Sequence, residues 1–234
     1  MFYHHTGSHI VIRNDTEYVG NGEQFAKYIL NRFAYMDNSM SIEYSRMAEG
    51  AFDKMINQNK TRAFARMDFM SAGYSNPVQV RFELFKDIAP RTVANFLSLC
   101  NGFKRSDGES ICYVGTEVHR IVKGLYLQMG KINPTKKPEL GMSIYGPSFE
   151  DESFSVKHTE IGLLGMCKKN NASHSNECQF YITLGAPLTF LDNEYVIFGR
   201  VISGMRALRA FENMETTNEK PNDSIKVVNA KNGN

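Results

Sequence analysis

The pattern of hydrophobic and polar positions changes along the chain near residue 65. Residues 10–13 and 17–19 are short β-prone segments on either side of Asn14-Asp15, a pattern that predicts a hairpin. The next apolar positions have the spacing of an amphipathic helix, and they are Phe25, Tyr28, Ile29 and Phe33. A second helical stretch is predicted over residues 41–57, with apolar positions at Tyr44, Met47, Phe52 and Met55.

The pattern from residue 66 onward indicates a half-buried strand and then a helix. Residues 78–84 alternate apolar and polar side chains, which is the period of a strand with one buried face. Pro90 suits the first position of the helix, and Asn101-Gly102 is a stop signal. The apolar stripe of this helix consists of Val93, Phe96, Leu97 and Cys100.

The rest of the chain contains many short β-like runs separated by turn residues. They lie at residues 118–122, 125–130, 163–166, 180–184, 196–201 and 225–228, and a second helix is predicted over 204–211. Many short strands with few helices favour a mostly β, closed or sandwiched antiparallel sheet. We therefore predict a β domain over residues 66–234 and an α+β extension over 1–65. The extension is small for independent folding, so we expect it to pack on its neighbour or on a partner.

Composition and charge exclude several classes of function. The 234 residues carry 27 Lys+Arg against 25 Asp+Glu, a net charge of +2, which does not favour nucleic-acid binding. No apolar run approaches the ~18–20 residues of a membrane span, and the first residues lack a signal-peptide pattern. The four cysteines, Cys100, Cys112, Cys167 and Cys178, form no Cys-x-x-Cys pair. We expect a soluble cytoplasmic protein with reduced thiols, no metal and no cofactor.

Several short motifs occur in one order along residues 66–230. Residues 80–85 read VRFELF and 89–96 read APRTVANF; HRIV at 119–122 precedes a glutamine at 128 and a glycine at 130. SIYG at 143–146, FEDE at 149–152, QFYIT at 179–183 and VIFGRV at 196–201 follow. This series resembles the cyclophilin-type peptidyl-prolyl cis-trans isomerases, and within them the peptidyl-prolyl isomerase-like 6 subgroup. The resemblance implies an eight-stranded antiparallel barrel capped by two helices.

The resemblance also implies the reaction, which is rotation about X–Pro bonds of polypeptides. The barrier is ~18–20 kcal/mol because resonance stiffens the amide, and no covalent step is needed to lower it. Arg120 matches the family's catalytic arginine, a permanent cation with several donors that stabilises the twisted amide. Gln128 matches the glutamine beside it. An ordinary ion-paired surface arginine and a half-buried structural amide are the alternatives for these two residues. His119 has no role in a rotation without proton transfer.

The residues that align with the family's substrate groove are mostly apolar or amphipathic, as a proline-binding pocket requires. They are Leu125, Tyr126, Met166, Cys167, Lys168, Gln179, Tyr181, Phe190, Leu191 and Tyr195. An ordinary place in the barrel core is the alternative for Met166 and Leu191.

Several positions depart from the family pattern. Leu125 stands where a phenylalanine is usual, Met129 replaces a glycine, Phe190 replaces tryptophan and Tyr195 replaces histidine. These changes predict a reshaped groove with reduced turnover. Loss of the tryptophan N–H also predicts weak cyclosporin binding.

A second hypothesis is a cyclophilin scaffold of low or no activity. In it, residues 1–65 dock the chain to a larger assembly, and the subgroup resemblance implies an axonemal microtubule of motile cilia. A third class, nucleic-acid binding, depends on Lys136-Lys137 and Lys168-Lys169, which are typical of solvated loops.

Overall fold

The computed structural model describes residues 11–13, 17–20, 22–33, 61–133 and 137–233, with isolated positions between 42 and 54. Contacts divide the chain into two compact units, Met1–Asp53 and Lys54–Asn234. The first strand of the second unit begins at Ala63. The extension boundary after residue 65 stays a prediction.

The first unit contains the predicted hairpin strands and helix. Strand β1 (Val11–Arg13) pairs antiparallel with β2 (Glu17–Gly20), and helix α1 covers Gly22–Phe33. Ile42, Met47 and Lys54 are among the helical positions of the second predicted stretch. Its apolar positions Tyr44, Phe52 and Met55 lie outside the described residues, as do residue 10 and the turn at 14–16.

The second unit is built from twelve strands and two α-helices in its described part. Its first half comprises β3 (Ala63–Ser71), β4 (Val78–Leu84), α2 (Pro90–Asn101), β5 (Phe103–Lys104), β6 (Ser110–Ile111), β7 (Arg120–Val122) and β8 (Tyr126–Met129). Its second half comprises β9 (Leu163–Lys168), β10 (Asn176–Thr183), β11 (Ile197–Ser203), α3 (Met205–Glu212), β12 (Thr216–Thr217), β13 (Lys220–Pro221) and β14 (Ile225–Asn232).

Eight strands form one antiparallel sheet in the order β14-β3-β4-β11-β9-β10-β8-β7. The two ends of the sheet meet because residues just before β7 bond to β14. Val118 N–H donates to Ile225 O at 2.9 Å, and Val227 N–H donates to Thr116 O at 2.9 Å. The sheet therefore curls into a barrel, and the predicted fold class is confirmed.

Aromatic packing at the centre of the barrel explains why the α2 stripe is apolar. The Phe96 ring lies 5.1 Å from Phe180, 5.3 Å from Tyr113 and Phe198 and 6.1 Å from Phe82, centroid to centroid. Edge-to-face and tilted arrangements of this kind add to the free energy gained from burial. Helix α2 is thereby fixed against the inner face of the sheet.

Both ends of α2 follow local rules. Pro90 occupies the first turn, and the helix ends before Gly102, whose φ of 89° is in the range that favours glycine. The Glu152 carboxylate accepts the N–H groups of Arg91 at 2.8 Å and Thr92 at 2.6 Å, and the Thr92 hydroxyl at 2.7 Å. These N–H groups have no partner within the helix, so a carboxylate from a distant loop supplies the cap.

Candidate functional site

The alternation of side chains along four neighbouring strands produces the site. Arg120 on β7 pairs with Gln128 on β8, Gln128 pairs with Tyr181 on β10, and Tyr181 pairs with Gly165 on β9. Directly opposed residues in antiparallel strands point to the same face. These positions therefore lie on one face of the sheet, the face away from the main core.

The neighbouring positions point into the barrel. Leu127, Met129, Met166 and Phe180 belong to the main core and are at most 1% exposed. Met166, aligned with the groove in the sequence, therefore occupies the alternative place in the barrel core. Met129, which we expected to alter the groove, faces the interior as well.

The outward-facing residues border an open cleft with a volume of about 120 Å³. Its lining consists of Arg120, Tyr126, Gln128, Cys167, Lys168, Asn171, Tyr181, Leu191 and Tyr195. A cavity of ~150 Å³ holds one benzene ring, so the cleft matches a single small ring such as that of proline. Asn171 is a lining residue that the alignment of motifs missed, because it lies in the lengthened loop after β9.

Three of the predicted groove residues, Leu125, Gln179 and Phe190, are not part of this lining. Leu125 is partly buried and packs against the cluster that contains Tyr181 and Leu191. Phe190 is 60% exposed. Gln179 accepts a hydrogen bond at 3.2 Å from the side-chain amide of Gln128.

Three tyrosines give the cleft its aromatic wall. The ring centroids of Tyr126 and Tyr181 are 5.5 Å apart, and those of Tyr181 and Tyr195 are 6.0 Å apart. Burial raises the pKa of all three phenols, so each is a neutral hydroxyl at physiological pH.

The Arg120 guanidinium lies at the open end of this wall. Its Nε donates to Glu219 Oε2 at 2.6 Å, and its central carbon is 5.7 Å from the centroid of the Tyr126 ring. The hydrogen bond to Glu219 raises the pKa of Arg120 above its ordinary value, so the cation is permanent. The sequence did not predict Glu219 as the partner of Arg120, because the two residues are 99 positions apart.

A buried hydrogen-bonded chain fixes the floor of the cleft. The Tyr181 hydroxyl lies 2.6 Å from His158 Nε2, and His158 Nδ1 lies 2.7 Å from Asp192 Oδ1. Gly165 leaves space for the ring, since a Cβ there would overlap Cζ and the hydroxyl of Tyr181. Tyr181 is therefore held in place by a hydrogen bond and by close packing on Gly165.

Lys168 is held by a buried ion pair. Its Nζ lies 2.9 Å from Asp151 Oδ2, and the two side chains are 6% and 2% exposed. Burial raises the pKa of Asp151, but hydrogen bonds from His174 N–H, Lys168 and Asn176 outweigh it, so the net shift is downward. Lys168 is thus a paired charge in the site, unlike the solvated loop lysine that a Lys-Lys pair suggests.

The four cysteines carry no disulfide, and burial raises the pKa of Cys100, Cys167 and Cys178.

In the described ranges, no group of three or more His, Cys, Asp or Glu residues could hold a metal ion. No described helix has the length and apolar character needed to cross a bilayer.

Residues 69–232 match the family model described as "Cyclophilin type peptidyl-prolyl cis-trans isomerase/CLD". The barrel and the motifs that line its cleft agree with that match, and the chain belongs to this family.

The relatives include the human and bovine proteins named "Probable inactive peptidyl-prolyl cis-trans isomerase-like 6". The chain is 35% identical to the human protein over 218 residues, covering 92% of this chain and 68% of the relative. It is 46% identical to the bovine protein over 143 residues, covering 60% of this chain and 45% of the relative. The chain thus spans less than half of the bovine relative. "Peptidyl-prolyl cis-trans isomerase 11" of Caenorhabditis elegans is 41% identical over 160 residues, 68% of this chain and 85% of that protein.

Proposed function

We propose that the chain catalyses cis-trans isomerisation of X–Pro bonds in polypeptides. One observation carries the proposal: the Arg120 guanidinium, Gln128 and a ring-sized cleft of tyrosine and leucine side chains lie on the same face of the sheet. Membership of the cyclophilin family supports it.

The cleft supplies the first part of the mechanism. Tyr126, Tyr181 and Leu191 take the proline ring, so the imide enters a partly dry environment. Because Tyr181 is fixed by His158, the wall does not have to rearrange when the ring binds. A fixed wall holds the ring while the residue before proline rotates.

Arg120 supplies the second part. In the planar imide the nitrogen lone pair is delocalised, and in the twisted form it is localised and accepts a hydrogen bond. A guanidinium N–H directed at that nitrogen binds the twisted form better than the planar one, which lowers the barrier. Gln128, anchored by its amide to Gln179, holds the substrate backbone beside the guanidinium.

The test is a cis-to-trans assay on an Ala-Pro reporter peptide with the full chain and its Arg120→Ala variant. We expect acceleration by the wild type and a loss of about 100-fold or more in the variant, as for removal of one transition-state donor. Arg200→Ala is the matched control. Arg200 Nε also pairs with a carboxylate, Glu83, at 2.7 Å, but Arg200 does not line the cleft. A folded wild type without acceleration overturns the proposal.

The second candidate is a cyclophilin scaffold that binds proline-containing segments without appreciable turnover. The specific observation in its favour is that Arg120 is already ion-paired with Glu219 at 2.6 Å. The human and bovine relatives, both named as probable inactive isomerases, point the same way. Peptide binding detected by NMR in the absence of acceleration would support this candidate.

We extend the proposal to location and partner: residues 1–65 dock the chain to an axonemal microtubule assembly of motile cilia. The support is the similarity of the chain to the isomerase-like 6 relatives and the separate compact unit at Met1–Asp53. A tagged chain lacking residues 1–60 is expected to fold but to lose its ciliary position. Normal localisation of that truncation contradicts the proposal.

A further inference from the structure

Glu219 occupies a turn that binds the strand of Arg120 twice. The strands β12 and β13 pair Thr217 with Lys220, so Asn218 and Glu219 form a two-residue hairpin turn. The Glu219 side chain accepts the Arg120 Nε–H at 2.6 Å, and its main-chain oxygen accepts the Ile121 N–H at 2.6 Å. The turn is therefore held to β7 by two hydrogen bonds, one from the Arg120 side chain and one from the Ile121 main chain.

The backbone at Glu219 is unusual for its residue type. Asn218 and Glu219 have φ values of 51° and 63°, the left-handed conformation that this turn type requires. Glycine and asparagine adopt it readily, whereas a glutamate there carries a steric cost. A side chain retained in a strained position is an indication of a functional contact, and the contact it makes is with Arg120.

The geometry of the Arg120–Glu219 pair leaves the Nη edge of the guanidinium available to a substrate. Glu219 uses the Nε–H, and within the described part of the chain no atom bonds the two Nη groups. Arg120 and Glu219 side chains are 44% and 46% exposed, so the pair adds little to stability. A long exposed arginine samples many rotamers, and an anchor on its Nε edge restricts them.

We propose that Glu219 is a positioning residue for Arg120, holding the Nε edge so that the Nη edge faces the proline cleft. The proposal rests on the isomerase function proposed above. In this proposal Arg120 is ordered before the substrate binds, whereas an arginine without such an anchor is ordered only by the substrate. A carboxylate that competed with substrate for Arg120 would have the opposite effect on activity.

The decisive variants are Glu219→Gly and Glu219→Gln. Glu219→Gly removes the carboxylate and relieves the turn, so its thermal midpoint should stay equal to or above that of the wild type. Its kcat/KM on the Ala-Pro reporter should fall about fivefold, the factor that corresponds to ~1 kcal/mol. Glu219→Gln keeps an oxygen acceptor and should retain most of the activity. Glu215→Gln is the control, because it removes one negative charge from an exposed side chain, as Glu219→Gln does.

An activity-independent readout separates this proposal from the isomerase function. The Arg120 Nε–Hε signal in a ¹⁵N-edited NMR spectrum is assigned with Arg120→Lys. It should be protected from exchange in the wild type and lose that protection in Glu219→Gly. If the protection is lost in Glu219→Gly as expected but neither the wild type nor any variant isomerises the reporter, the isomerase proposal fails and the positioning role stands. Unchanged protection, or a Glu219→Gly variant as active as the wild type or more active, overturns the positioning role.

Discussion

The ring of Tyr181 lies directly over Gly165, its cross-strand partner on β9, at a distance that leaves no space for a side chain. The hydroxyl of the same ring is bound by His158 at 2.6 Å, so a displaced ring would lose this hydrogen bond. The floor of the cleft thus depends on a glycine and a tyrosine that are 16 positions apart in the sequence.

We predict that Gly165→Ala displaces Tyr181 and obstructs the cleft. Overpacking of this kind costs about 1–3 kcal/mol in the free energy of unfolding. A urea unfolding curve and an NMR titration with an Ala-Pro peptide measure the two effects. Gly73→Ala is the matched control, since nothing lies within 4 Å of its added Cβ. Wild-type peptide binding by Gly165→Ala would show that the floor is adaptable.

The hydrogen bonds between Asp192 and His158 predict a pH dependence of stability. The His158 backbone N–H, followed by its imidazole, lowers the pKa of Asp192 below the ordinary carboxyl value. The stabilisation is therefore fully present above the unfolded pKa of about 3.9, and it is lost as pH falls through the lower folded pKa. The unfolding midpoint difference between wild type and Asp192→Asn should stay constant from pH 7 to about 4, and it should shrink as the pH is lowered further. Asp223→Asn, a substitution of the same kind at an exposed position, is the control.

The carboxylate cap on α2 can be tested by stability alone. Glu152→Ala leaves two helix N–H groups and a hydroxyl without their partner, and we expect a loss of about 1–2 kcal/mol. Glu150→Ala is the control, because its contact with Arg91 at 3.5 Å joins side chains that are 47% and 75% exposed. Equal stability of the two variants in guanidinium titrations would contradict the cap.

The exposed Phe190 predicts weak cyclosporin binding. Where the family usually has a tryptophan with an N–H donor, this side chain has none. Phe190→Trp should raise cyclosporin affinity about fivefold, the value of one hydrogen bond of ~1 kcal/mol. Isothermal titration calorimetry of both proteins gives the ratio. Affinity that is high in the wild type and unchanged in the variant would show that this donor is unimportant here.

The sequence predicted most of the barrel because its elements carry local signals. The alternation in residues 78–84 and the stripe from Val93 to Cys100 became β4 and α2 at nearly the expected bounds. Strand ends were less predictable: β10 begins at Asn176, four residues before the predicted run, because pairing with β9 extends it beyond its apolar part.

Most residues that line the cleft were candidates in the sequence, whereas the contacts between them were not predicted. Arg120 and Gln128, which the motifs suggested as candidates, both line the cleft, and strand parity explains why Cys167 lines it while Met166 does not. The Glu219 anchor arises from tertiary pairing across 99 positions, for which no local pattern exists.

The closure of the barrel has a consequence for how the protein is made. Strand β3 pairs with β14, whose residues are synthesised more than 150 positions later. While the ribosome is still producing β14, one edge of β3 exposes backbone donors and acceptors that attract other extended chains. Until residues 225–232 have emerged and paired with β3, the nascent polypeptide therefore presents an open strand edge that favours aggregation.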